Sequence, residues 1–134
     1  MLCYNVDCIL EISIQKSIYG GFMKIAIVGS RTIMKVCIGE HVSHEDEIVS
    51  GGAKGVDACA VEYALKHEMK YTEFLPEYDL YGRSAPIIRN KEIVDYADRI
   101  VAFWDGTSKG TLSVINYAKK KGKDCKVIIC KQTQ

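Results

Sequence analysis

This chain of 134 residues has almost no net charge: 18 Lys and Arg against 17 Asp and Glu leave +1. A protein dedicated to duplex DNA usually carries a clear basic excess, so that class finds no support here, although a local basic patch remains open. No long apolar run is present either. The hydrophobic stretch near the start is short, is broken by Asp7 and Glu11, and lacks a basic segment before it. That excludes a signal peptide and a membrane span as readings of it. The chain holds 6 cysteines but no C-x-x-C pair, so zinc-ribbon and thioredoxin-like chemistry are not indicated. Cys37, Cys59, Cys125 and Cys130 fall inside apolar patterns, which predicts reduced, mostly buried thiols and a cytoplasmic protein. The 3 histidines show only a loose H-x-x-H at His41 and His44, so no metal site is expected. There is no G-x-S-x-G elbow, and no catalytic dyad can be assembled. No repeat or low-complexity segment is visible, and nothing calls for an organic cofactor.

What the chain does have is an alternation of short apolar strands and helices from Met23 onward. Strands are expected at 24–28, 47–50, 71–75, 99–104 and 125–130. Helices are expected at 32–41, 56–68, 86–96 and 111–121. Pro76 stops a strand, Pro86 suits a first helical turn, and Gly122 suits a helix C-terminus. The pattern predicts an α/β fold: a Rossmann-like, doubly wound, mainly parallel five-stranded sheet with helices on both faces. Residues 1–22 end in Gly20-Gly21-Phe22 and read as an N-terminal appendage. Within them "CILEISI" is able to form an extra strand. Residues 23–134 read as the complete domain.

Glycine-bearing turns follow three of the expected strands: Gly29-Ser30-Arg31, "SGGAKGVD" at 50–57, and "DGTSKGT" at 105–111. A parallel sheet gathers such turns at its carboxyl edge, where N–H groups and helix N-termini suit an anion. Each turn also carries a basic residue, Arg31, Lys54 or Lys109. In the second turn, Ser50, Gly51, Gly52 and Gly55 allow a sharp bend and close approach of backbone to ligand. Asp57 can meet ribose hydroxyls or simply complement the helix dipole. The G-K-[ST] ending of a Walker A loop is missing. In the third turn, Asp105, Ser108, Gly110 and Thr111 offer polar groups and open backbone, and ordinary N-capping by Ser108 or Thr111 is the alternative. The irregular stretch "YDLYGRSAPIIRN" adds Tyr78, Tyr81, Arg89 and Asn90. Its aromatic rings can stack on a base or pack under the loop, and an arginine early in a helix points to an anion or an ion pair. The lysines at 119–123 suit a helix C-terminus and read as a solvated cap.

The segments "KIAIVGSR", "IVSGGAKGVDACAVEYA", "YGRSAPIIRN" and "RIVAFWDGTSKGTLSVINYAKKKGK" resemble, in this order, the YspA (cpYpsA-related) branch of the SLOG superfamily. The likeness covers about residues 23–130. It departs near Ala85-Pro86-Ile87, where the branch often has an alanine-glycine pair. The superfamily also includes DprA/Smf and LOG-type phosphoribohydrolases. The resemblance implies a Rossmann-like fold and a nucleotide or nucleotide-derived ligand. Carried over by match, that ligand would meet Gly29, Ser30, Arg31, Ser50, Gly51, Gly52, Asp57, Arg89, Asn90, Asp105, Ser108, Gly110 and Thr111. Lys54, Gly55 and Lys109 join these from the turns themselves. LOG-type enzymes place a glutamate three residues after the Gly-Thr pair; here that position is Val114, which cannot act as a carboxylate. The expectation is therefore a binding module that senses or sequesters its ligand, self-associating, most simply as a homodimer. A nucleotide hydrolase and a DprA-like single-stranded DNA binder are the alternatives.

Overall fold

The computed structural model describes residues 6–12 and 22–132. The chain runs β1 (Val6–Ile12), β2 (Lys24–Gly29), β3 (Glu47–Ser50), α1 (Val56–Lys66), β4 (Tyr71–Glu73), α2 (Tyr78–Tyr81), α3 (Ala85–Tyr96), β5 (Arg99–Trp104), α4 (Lys109–Lys120) and β6 (Asp124–Gln132). These strands form one sheet in the order β1-β6-β5-β2-β3-β4. From β6 to β4 all neighbours are parallel, which is the expected five-stranded α/β sheet. β1 adds an antiparallel strand along β6, from Val6 opposite Gln132 to Ile12 opposite Val127.

The alternation of side chains along each strand divides the core into two layers. Ile25, Ile27, Val101, Phe103 and Ile128 point to one face, where they meet Val56, Ala60 and Ala64 of α1. Ala26, Val28, Ile100, Ala102 and Val127 point to the other, against Ile93 and Val94 of α3 and Val114, Ile115 and Ala118 of α4. Ala26, Ile27, Ile48, Val49, Ile100 and Ala102 are fully buried, so the central strands must be apolar on both faces. Burying each large aliphatic chain contributes about 1.5–3 kcal/mol.

The chain leaves β2 towards β3 and β4, then returns through α3 to β5 on the other side of β2. The carboxyl ends of β2 and β5 therefore flank a topological switch point, where loops diverge and leave a crevice. At the opposite end of the sheet, Glu47 is buried yet satisfied. Burial alone would raise its pKa; hydrogen bonds from Tyr96 (2.6 Å) and Thr72 (2.7 Å), with Lys70 at 3.4 Å, outweigh that and hold it low.

Two expectations need correction. Residues 32–41 are not an α-helix; they leave a turn at 31–32 and pass through irregular backbone to a 3-10 turn at Ile38–Glu40. Thr32, Ile33, Val36 and Ile38 are β-branched, Gly39 is a poor helix residue, and Ile33, Val36 and Ile38 gain more by burying against the α1 face. The thiols are not all reduced either. Cys37 is disulfide-bonded, whereas Cys59 and Cys125 carry free thiols. The stretch expected to be irregular holds the single turn α2 and a 3-10 turn at Gly82–Ser84, with no buried residue in either. No helix among the described residues is long and apolar enough to cross a membrane.

Candidate functional site

Gly29 ends β2 where the first turn of α1 and the end of β5 leave no room. A Cβ there would stand 2.5 Å from Val56 Cγ2 and 2.7 Å from the Phe103 carbonyl oxygen. Ser30 then ties the two diverging loops together. Its N–H donates to the Phe103 carbonyl (3.0 Å), and its Oγ accepts from Asp105 N–H (3.1 Å). Thr32 Oγ1 adds a bond to Asp105 Oδ2 (2.9 Å). Gly55 (φ +77°) packs its α-carbon against this loop, and a Cβ would meet the carbonyl oxygens of Ser30, Arg31 and Ile33 at 2.8–2.9 Å. Here the sequence needs glycine for a close approach between two loops.

The β3–α1 loop is organised by its own side chains. Ser50 Oγ donates to the Asp57 carbonyl (3.1 Å) and accepts from Gly52 N–H (3.3 Å). Asp57 Oδ2 accepts from Ala53 N–H (3.2 Å). Asp57 is only 6% exposed. Burial raises its pKa to about 6, although the N–H groups of Ala53, Gly51 and Gly29 and the charge of Arg89 all pull the other way. Arg89, from the first half of α3, is 9% exposed. Its Nη1 donates to the Gly51 and Phe74 carbonyls, and its Nε to Asn90 Oδ1 (2.9 Å). Desolvation lowers its pKa, and Asp57 and Tyr78 act against that. Its Nη2 has no partner among the described residues. No polar side-chain atom there is both buried and unpartnered, so Nη2 has access to the space beside it.

The β5–α4 loop closes around Asp105. Its Oδ1 accepts from Thr107 N–H (2.9 Å), Thr107 Oγ1 (3.1 Å) and Ser108 N–H (2.8 Å). Burial would raise this carboxyl, but these donors and Thr32 outweigh it and hold the pKa near 2. Ser108 caps α4 through Thr111 N–H (3.3 Å), and Trp104 Nε1 donates to the Ser108 carbonyl (3.0 Å). The N–H groups of Lys109 and Gly110, at the start of α4, have no acceptor among the described residues.

These loops enclose a cavity of about 440 Å³ at the switch point. Of the residues expected at a ligand, Gly29, Arg31, Asp57, Arg89, Asn90, Asp105, Ser108, Gly110 and Thr111 line it. Ser30 and Ser50 are buried, at 1% and 0% exposure, and their hydroxyls serve the loops. Gly51 lies behind the wall, between Asp57 and Arg89: a Cβ there would be 2.8 Å from Asp57 Oδ2 and 3.0 Å from Arg89 Nη1. Gly55 is consumed by loop packing, and Gly52 faces a second cavity. Lys54 and Lys109 are exposed beside the loops. Thr107, expected with Ser108 and Lys109 at the helix start, also lines the cavity, and the wall further includes Val28, Thr32, Ala53, Pro86 and Val114, which sequence reasoning missed as site residues.

Arg31 and Arg89 supply the cavity's cations, and the ion pairs among the described residues, Lys70–Glu47 and Arg99–Asp124, lie elsewhere. The anions are Asp105, saturated by its own loop, and Asp57. Two of the donors expected to meet a ligand, Thr107 N–H and Ser108 N–H, are thus occupied by Asp105. What remains for an external anion is Arg31, the Nη2 of Arg89 and the start of α4. The second cavity, beside α1 and β4, is lined by Glu62, Glu73 and apolar side chains and does not suit an anion. Among the described residues no three His, Cys, Asp or Glu side chains gather as metal ligands would.

Residues 17–81 match the family model described as DNA recombination-mediator protein A. That span takes in β2, the first two glycine-bearing turns, α1 and β4. It supports the relationship to DprA-type SLOG proteins read from the sequence. No curated protein and no solved structure matches the chain.

Proposed function

We propose that the switch-point crevice binds a nucleotide-derived ligand through a phosphate, and that the protein acts as a sensing or sequestering module. The observation that carries this is Arg89. It is a nearly buried guanidinium that lines the cavity, held on one side by the Gly51 carbonyl, with no carboxylate at salt-bridge distance among the described residues. A guanidinium fixed in that way is preorganised for an oxyanion. The open N–H groups of Lys109 and Gly110 complement it from the α4 terminus. The finer assignment to the YspA branch belongs to this reading and rests on the four segments that resemble it.

Calorimetry with a panel of nucleoside mono-, di- and triphosphates tests it. One of them should bind, and Arg89→Ala should weaken that binding by about 30-fold, the equivalent of about 2 kcal/mol. No binding across the panel, or an unchanged affinity in Arg89→Ala, would sink it. Turnover is not expected. Val114 lines the cavity where a LOG-type carboxylate would stand, so no free base should be released from a nucleoside monophosphate.

The match to DNA recombination-mediator protein A favours a second reading, in which the phosphate belongs to single-stranded DNA. Oligothymidylate binding that weakens steeply with salt, and that exceeds binding of every mononucleotide, would select it.

A further inference from the structure

We propose that anion binding in this crevice is coupled to uptake of a proton by Asp57, so that the site fills more tightly as the pH falls. The inference rests on the anion-site reading above and concerns its regulation.

Asp57 is in an unusual place for a carboxyl. It lines the same cavity as Arg31 and Arg89, is almost wholly buried, and stands on the far side of Gly51 from Arg89. The charged groups around it are Arg89 from α3, Arg31 from the loop after β2, and Asp105 from the loop after β5. Lys54, on its own loop, is exposed, and Glu73 of β4 approaches Gly52 from the side of the second cavity. Asp105 is held ionised by its loop. With Asp57 also ionised, the cavity wall carries two carboxylates against two guanidinium groups. An arriving anion then meets a nearly neutral wall and a buried negative charge close to Arg89. With Asp57 protonated, the wall's net charge rises by one and the negative charge that offsets the field of Arg89 is gone. Burial already brings Asp57 to a pKa of about 6, within reach of physiological pH, so a nearby anion raises it further and draws in a proton. By linkage, what the anion does to the proton the proton does to the anion.

The probe must not titrate in the same range, which rules out a terminal phosphate, whose second pKa is about 6. Sulfate and a dinucleoside phosphodiester keep fixed charges between about pH 5 and 8. The single tryptophan, Trp104, is bonded to the β5–α4 loop and offers a fluorescence readout. Wild-type affinity for both probes should rise about tenfold from pH 8 to pH 5, the effect of a one-unit shift. Calorimetry at pH 7 in buffers of different protonation enthalpy should show net proton uptake on binding. Asp57→Asn, which keeps an oxygen for Ala53 N–H, should bind tightly with no pH dependence over this range. The proposal is overturned by pH-independent binding without proton uptake in the wild type. It is equally overturned if Asp57→Asn keeps the wild-type slope, or binds more weakly at every pH, since the carboxylate would then contact the ligand itself. Absence of binding even at pH 5 would remove the anion site along with the coupling.

Discussion

Gly55 and Gly110 sit at the starts of helices on opposite faces of the sheet, and the surroundings of each make opposite demands. Gly55 combines a left-handed φ of +77° with carbonyl oxygens at 2.8–2.9 Å from where a Cβ would go. Gly55→Ala should cost about 3 kcal/mol, from backbone strain together with forced separation of the β2 and β3 loops. At Gly110 nothing lies within 4 Å and φ is ordinary. Gly110→Ala should therefore stabilise by roughly 0.5–1 kcal/mol, as any helix glycine replacement does. Its new methyl would still enter the cavity wall, so stability should rise while anion affinity falls. Urea midpoints for the two variants, with a sulfate titration of the second, check the pair. Equal losses of stability would mean that the helix starts are interchangeable turns.

At the scale of elements, the β5–α4 connection depends on one carboxylate. Asp105 accepts from Thr32, Thr107 and Ser108, and its folded pKa of about 2 lies below the unfolded value of about 3.9. The unfolded chain therefore binds the proton more readily. The stabilisation is complete above about pH 4 and is lost as pH falls through about 2. Asp105→Ala should lower the thermal midpoint at pH 7 but make little difference near pH 2, as a pH series of melting curves would reveal. A midpoint loss that persists at pH 2 would assign the loop's stability to packing instead. This loop also shows where sequence reasoning reaches its limit. Strand β5 and the helices α1, α3 and α4 were legible because continuous apolar runs and helical spacing belong to each element alone. The helix expected at 32–41 failed because its β-branched residues answer to the α1 face, a partner that spacing does not reveal. The site was legible to the same depth. Glycine turns identified which loops converge, but not that Ser30 and Ser50 would turn inward, that Asp105 would satisfy its own loop, or that Asp57 and Arg89 would meet across Gly51.

For the molecule as a whole, the buried residues described in both apolar layers lie between Ile25 and Cys130. Asp46 also accepts from the Met23 N–H (3.0 Å) and the Ser43 N–H (2.8 Å), which fastens the chain just before β2. A chain starting at Met23 should accordingly unfold in one cooperative transition and keep its sulfate affinity, as calorimetric melting and titration would test; loss of the transition would make β1 integral to the fold. Its behaviour in concentrated solution is another matter. β6 is the longest strand among the described residues, 9 residues, and Val127, Ile128 and Cys130 keep its centre apolar. In the full chain β1 occupies its outer hydrogen-bonding edge, from Val6–Gln132 to Ile12–Val127. Without β1 that edge would offer a row of open amide and carbonyl groups to any second molecule. The shortened protein should then scatter light increasingly with concentration while its melting curve remains that of a folded domain. A strand whose described role is to cover the edge of β6 would thus set the protein's solubility.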